Sequence, residues 1–477
     1  MTASPASPTL SPTLSRAPSP TSSQPNSNLI DPALRRIFRQ DRQYLEETEL
    51  PIVTVSASYK EDLKGFYGLP EDETIPDVVF SRAHYSMPLA IASAAWSRLL
   101  EHRQAWIVDP TNYVSAADWR KVKTTELVAK TVARHPVLKF FKDMVDRFGR
   151  QQLPILSSIT PPLLYLTERI ERPILSLHIA AGNILADQGK PVVQVVTDPH
   201  VRSEYLRHAG NRQFWYCVFD DQTKTDLLEK ATLLHGKNQP GGRLDPERVR
   251  VTGPPIDPRL RRYRSSKHPW RGGPLKLCLT TGGLGTNRQE IAEVLAQLLP
   301  DLWRRESPFR LTVYAGTHRD LAGLVTDAAH RAGVALSPVT PATDTNPQTK
   351  LRLLYHPQIV DANELLMRYG FPWADGFITK PSGDMAYDAA AAGCFLLTLR
   401  EWGPWEQNIR DRFEQRGISR VAQVRQLRAQ LVSLMDAHQK SHSWIERAML
   451  NAHALPPLFL EGAERIIEEY RRVASRY

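Results

Sequence analysis

Residues 375–407 read DGFITKPSGDMAYDAAAAGCFLLTLREWGPWEQ, and the order of residue types along them sets the fold. Residues 376–379 and 394–399 are short apolar runs bounded by turn formers, the pattern of strands buried on both faces. Between them, 385–392 fits one short alanine-rich crossover helix, stopped by Gly393. Strand, helix, strand in that order is a βαβ unit and predicts an α/β fold on a parallel sheet. A ligand of such a sheet sits beyond the carboxyl ends of the strands, so residues 380–384 and 399–408 are expected to line one crevice.

Both loops carry polar groups. The turn Pro381-Ser382-Gly383 opens a helix, where unpaired backbone N–H groups and the positive end of the dipole favour an anion such as phosphate. One turn further in, Asp388 can point back toward the crevice and accept from the two vicinal hydroxyls of a ribose. Downstream, Glu406 and Gln407 offer a carboxylate and an amide, groups suited to sugar hydroxyls. Phosphate, ribose and sugar in sequence spell a nucleotide sugar.

Thr379-Lys380-Pro381-Ser382-Gly383, then Asp388, then Glu406-Gln407-Asn408 resembles the donor-binding region of the two-domain GT-B glycosyltransferases. Nearest in pattern are the monogalactosyldiacylglycerol synthases and the lipid-linked N-acetylglucosaminyltransferase of peptidoglycan synthesis, which read T-K-x-G-G-x-T-x-x-E-A. Here Ser382 replaces the first Gly, Met385 the Thr and Asp388 the Glu. Met385 removes a hydroxyl that could bond phosphate, and Asp384 puts a negative charge beside the anion site. The resemblance implies two doubly wound, Rossmann-like α/β domains facing a central cleft. It also implies an inverting hexosyl transfer from a UDP-sugar to a lipid or lipid-linked hydroxyl acceptor. No D-x-D motif is present, so the charge of the leaving group would fall to helix N-termini and Lys380, with no metal and no cofactor besides the donor.

Working outward, 477 residues allow two to three domains with large cores. No apolar run reaches the length of a membrane span. The three cysteines, Cys217, Cys278 and Cys394, have no metal or redox spacing, which points to a reducing compartment. A formal charge of +10 suggests a negatively charged partner: lipid headgroups, phosphates or nucleic acid. Residues 1–29 form a Ser/Thr/Pro-rich tail that cannot bury enough surface to order itself, and they lack the pattern of a secretory signal. The segment 127–148 alternates apolar residues with Lys and Arg in helical fashion, interrupted by Pro136. It could lie on an anionic membrane surface, as a cytoplasmic enzyme peripheral to the inner face of the membrane would need, or pack on its own domain.

The first domain is expected over 30–258, with strands near 51–56, 78–80, 106–109, 173–177, 192–197 and 214–219. Ser81-Arg82-Ala83-His84 stands where the resembled families carry a G-G-G-H loop, and His84 is the one matching residue. At the end of the strand in Thr197-Asp198-Pro199-His200, Asp198 is a candidate to take the proton of the attacking hydroxyl. A basic run at 259–273 interleaves arginines with Tyr263 and Trp270. Its Pro and Gly content favours a solvated linker, with nucleic-acid binding a distant alternative.

The second domain, 274–443, opens with a strand, then Gly282-Gly283-Leu284-Gly285-Thr286 and a helix from 289, an arrangement that presents backbone N–H groups to phosphate. It is not the dinucleotide fingerprint, since Arg288 falls where the third glycine belongs. It resembles the G-G-S-x-G loop of the same families. Gly316 in Gly316-Thr317-His318-Arg319 corresponds to their loop near the nucleobase, and 361–366 to the backbone that reads the uracil edge. The helices of 444–477 are expected to cross back onto the first domain. Two rival readings accompany transfer: nucleotide-sugar 2-epimerisation on the same architecture, and a nucleotide-sugar-binding pseudoenzyme, which the degraded motifs would suit.

Overall fold

The computed structural model describes residues 32–58, 77–114, 154–235, 244–282, 285–340, 349–437 and 442–477. The tail at 1–29, the basic segment at 127–148 and Gly283 lie outside these residues.

The first domain contributes β1 (Leu50–Val53), β2 (Ala57–Ser58), β3 (Val78–Val79), β4 (Ala105–Val108), β5 (Ile174–Ser176), β6 (Val192–Val195), β7 (Phe214–Val218) and β8 (Val249–Val251). Six of these form one sheet in the order β4-β1-β5-β6-β7-β8, parallel throughout, while β2 and β3 pair antiparallel beside it. The runs of Val, Ile and Leu follow from this arrangement: Ile52, Val53, Ile174, Leu175, Val192 and Val193 are wholly buried, as strands covered by helices on both faces require.

The second domain carries β9 (Leu275–Thr280), β10 (Phe309–Gly316), β11 (Leu336–Val339), β12 (Leu351–Tyr355), β13 (Gly376–Thr379), β14 (Phe395–Thr398) and β15 (Ser419–Val421). They lie in the order β11-β12-β10-β9-β13-β14-β15, again all parallel. The quoted βαβ unit is β13, the helix Met385–Ala391 and β14, in register from Gly376 opposite Phe395 to Thr379 opposite Thr398. Two doubly wound parallel sheets are thus the fold that the sequence predicts.

Strand order reverses between β1 and β5 in the first sheet and between β9 and β13 in the second. Those are the switch points at which the connecting helices part and leave a crevice. The loop residues 54–56, 177–178, 281–282, 285–286 and 380–384 therefore stand where a ligand can enter.

One part of the chain departs from expectation. The basic run is not a solvated linker: Pro258–Ser266 is a helix, started by Pro258 and capped by Asp257, whose carboxylate accepts from Arg259 N at 2.9 Å. Most of its cations are engaged. Arg259 pairs with Glu364 at 2.8 Å, Arg261 with Glu464, and Lys267 Nζ donates to the carbonyls of Phe371 and Ala374 at 2.7 and 2.6 Å.

The last helix, Gly462–Ala474, crosses back to the first domain, where Tyr470 Oη donates to the Pro173 carbonyl at 2.8 Å. The crossing needs backbone against backbone: a Cβ at Gly253, φ +86°, would lie 1.9 Å from the Leu458 carbonyl oxygen. One hydrophobic core joins Ile52 and Trp215 of the first sheet, Phe377 and Leu396 of the second, and Ile466 of the last helix. No described helix is long and apolar enough to cross a membrane.

Candidate active site between the domains

On the second domain's side, Thr280 Oγ1 donates to Thr379 Oγ1 at 2.7 Å and ties together the ends of β9 and β13. The two switch-point loops then lie side by side. A Cβ at Gly282 would stand 2.4 Å from Lys380 Cε, so the glycine is what lets the lysine stem run across its loop. Lys380 Nζ ends 2.5 Å from Glu406 Oε1, and the second oxygen of Glu406 accepts from Trp402 N at 2.7 Å. Glu406 is buried and committed to this pair, while Gln407 is exposed on the helix Pro404–Gln415. In the same loop Thr286 is buried and its hydroxyl has no hydrogen-bond partner among the described residues. Gly285 and Gly316 take positive φ, +67° and +58°, as the turns at those strand ends demand.

Ser382 is spent locally. Its Oγ donates to Asp384 Oδ1 at 2.7 Å and accepts from Met385 N at 3.2 Å, so the serine caps the helix that it was expected to leave open for phosphate. That helix has seven residues.

On the first domain's side, His84 Nε2 lies 3.3 Å from Thr197 Oγ1, and its ring meets that of His178 edge-on at 4.9 Å between centroids. Burial pushes both imidazoles toward neutrality: His84 falls to about 4, and His178 well below its ordinary value. Asp198 behaves oppositely. Burial raises its carboxyl, and Arg202, 3.5 Å away, pulls it back only in part.

The halves meet closely. A Cβ at Gly383 would fall 2.6 Å from Asp198 Oδ1 and 2.7 Å from the Thr197 carbonyl oxygen. Asn408 Nδ2 donates to the Pro199 carbonyl at 3.0 Å, and the Arg202 guanidinium lies over the Trp405 ring at 4.9 Å. From the start of the helix Ala83–Ala95, Arg82 reaches into the second domain: Nη1 donates to Asp384 Oδ2 at 2.6 Å, and Nη2 donates to Asn363 Oδ1 at 3.0 Å and stands 3.5 Å from Asp388 Oδ2. Burial would raise Asp384, but Arg82, Ser382 and Met385 N together hold it below the usual carboxylate range. Asp388, with a weaker share of Arg82, is driven up to about 7 by burial.

The structure thus brings Asp198, Gly282, Lys380, Ser382, Gly383, Asp388 and Glu406 to one junction. Sequence reading alone does not single out Arg82, His178, Arg202 or Trp405. The available signal was position: Arg82 is two residues before His84, Arg202 is four residues after Asp198, and His178 follows β5 at the switch point.

No protein-family model matches the sequence, and no curated protein does either. Among solved structures, the chain is similar to a UDP-N-acetylglucosamine 2-epimerase, with 13% identity, 88% of this chain and 95% of that chain covered, and a TM-score of 0.45. It is also similar to Medicago truncatula UGT71G1 complexed with UDP-glucose, with 10% identity, 90% and 99% covered, and a TM-score of 0.43. A third is Acinetobacter baumannii MurG, with 12% identity, 67% and 78% covered, and a TM-score of 0.38. Likeness at this level leaves substrate and chemistry to the site itself.

Proposed function

We propose that the protein is a glycosyltransferase that binds a uridine diphosphate sugar between its domains. It moves the hexosyl group to a hydroxyl of a lipid or lipid-linked acceptor, with inversion and without a metal. The observation that carries this reading is the meeting of Gly383 with Asp198: the 380–384 loop of one domain and the candidate base of the other lie so close that a Cβ added to Gly383 would fall 2.6 Å from Asp198 Oδ1. In the reaction the acceptor oxygen attacks the anomeric carbon, the bond from that carbon to the diphosphate oxygen breaks, and the hydroxyl proton passes to Asp198. With the diphosphate held by the second domain, Asp198 of the first domain would have to face the opposite side of the anomeric carbon, as a single inverting displacement needs.

Of the two candidate bases, Asp198 is the one that adjoins the 380–384 loop. An imidazole held near 4 takes a proton poorly at neutral pH, whereas a carboxyl raised by burial takes one more readily than a solvated one. The backbone of Gly282 and Gly285, the Thr286 hydroxyl and Lys380 would face the diphosphate, and Asp388 the ribose.

The test is turnover of a panel of uridine and guanosine diphosphate sugars with acceptor lipid in vesicles. Asp198→Asn should lower kcat by roughly 10²–10⁴ while leaving the donor KM unchanged. Unchanged turnover in that variant removes Asp198 from the chemistry. One observation favours a second reading, binding without turnover: Lys380 is already neutralised by Glu406 at 2.5 Å. That reading requires donor binding with no product from any acceptor. Interconversion of the donor with no acceptor present would instead indicate epimerisation.

A further inference from the structure

Arg82 belongs to the first domain, yet among the described residues every side chain it pairs with belongs to the second. Its partners come from separate elements: Asp384 and Asp388 around the start of the helix Met385–Ala391, and Asn363 in the helix Ile359–Leu365. Tyr314 of β10 also adjoins the guanidinium. In the reading proposed above, Asp388 is the ribose carboxylate and the 361–366 backbone borders the base. The arginine therefore lies where the nucleoside would go. It is 5% exposed, so little water shares the space.

The arrangement is also incomplete. Nη1 and Nη2 are bonded, and Nε is buried with no hydrogen-bond partner among the described residues, although the Tyr314 hydroxyl adjoins the guanidinium. Asp388 receives only the long, 3.5 Å contact. Groups so placed can exchange partners. A ribose hydroxyl pair would satisfy Asp388 better than Arg82 does, and opening the junction would return the unpaired N–H to water.

We infer that Arg82 is an autoinhibitory latch: its side chain fills the nucleoside position and clamps the two domains shut, and the donor enters only after the guanidinium leaves Asp384 and Asn363. This rests on the nucleotide-sugar reading of the same site. Donor affinity is then reduced by the fraction of molecules in which the latch is open, and weakening the latch raises it.

The experiment compares the full chain, Arg82→Gln, and the double variant Arg82→Gln/Asp384→Asn. The double variant replaces both ions by amides of similar shape and leaves Asp384 with no buried charge. Uridine diphosphate binding is measured by calorimetry and domain separation by small-angle X-ray scattering without nucleotide. Both variants should bind uridine diphosphate about tenfold more tightly, and both should show a larger radius of gyration than the parent. An unchanged radius in the double variant overturns the latch. Weaker nucleotide binding overturns it as well, because Arg82 would then be a ligand of the donor. A larger radius with no uridine diphosphate bound by any of the three proteins keeps the latch and removes the nucleotide-sugar reading.

Discussion

Two sets of cation–carboxylate pairs, those at the candidate site (the front) and those of the basic run 259–273 (the rear), differ in how much water reaches them. At the front, the side chains of Arg82 and Asp384 are 6% and 7% exposed, and Lys380 and Glu406 are almost as dry. At the rear, Arg271 is 76% exposed in its pair with Glu446, and Arg261 and Glu464 are each about a third exposed. Solvated pairs are screened and add little one by one. Desolvated pairs add little over apolar packing but are costly to break from one side. The rear pairs therefore act as many weak adhesives, while each front pair holds or fails as a unit. A junction of the second kind suits a place where a ligand must replace an internal partner.

The largest test of this contrast is Arg82→Ala. It strands Asp384 and Asp388 with no cation, and removing one side of a buried pair costs about 3–5 kcal/mol. Urea unfolding at pH 8 measures it. A loss below about 1 kcal/mol would place the front pair with the rear ones and erase the distinction.

Asp388→Asn sharpens the same point through pH. Folding raises this carboxyl from 3.8 to about 7, so the folded state binds the proton more tightly than the unfolded one. The stability it contributes is full below about pH 4 and is lost as pH rises through about 7. At pH 8 the parent carries a buried carboxylate only partly compensated by Arg82, and the uncharged amide should be more stable by up to about 4 kcal/mol, taking about 1.4 kcal/mol per pKa unit. The advantage should shrink steadily between pH 7 and pH 4. Melting curves across that range decide it, and a pH-independent difference would mean that Asp388 is not held raised at this junction.

How much of this was legible before the fold was known depends on the range of the interaction. The strands of both sheets were readable because an apolar run bounded by Gly or Pro carries its own signal, as at 376–379 and 394–399. Asp198, Gly282, Lys380 and Gly383 could be placed at strand ends for the same reason. What those side chains bind was not readable. Lys380 is 26 residues from Glu406, and Arg82 is 302 residues from Asp384, so neither pairing leaves a local pattern. Ser382 is a partial exception, since a serine three residues ahead of Met385 is a local capping signal. The basic run at 259–273 was misread because its Pro and Gly content is visible, whereas the carboxylates that fix it, Glu364, Glu446 and Glu464, arrive about 100–200 residues later.

The smallest effect lies in that run, and it sets the baseline for the other two. Arg271 Nε stands 3.0 Å from Glu446 Oε1, but the arginine is mostly in water. Glu446 is not left alone when the arginine goes, because His442 Nδ1 lies 2.8 Å from its other oxygen. Arg271→Ala should therefore cost less than about 1 kcal/mol, and 1 M salt should remove most of that small loss in the comparison with the parent. Urea unfolding at low and high salt measures both quantities. A loss comparable to that of Arg82→Ala, or one indifferent to salt, would show that the rear pairs are as dry as the front ones, and burial would no longer separate the two.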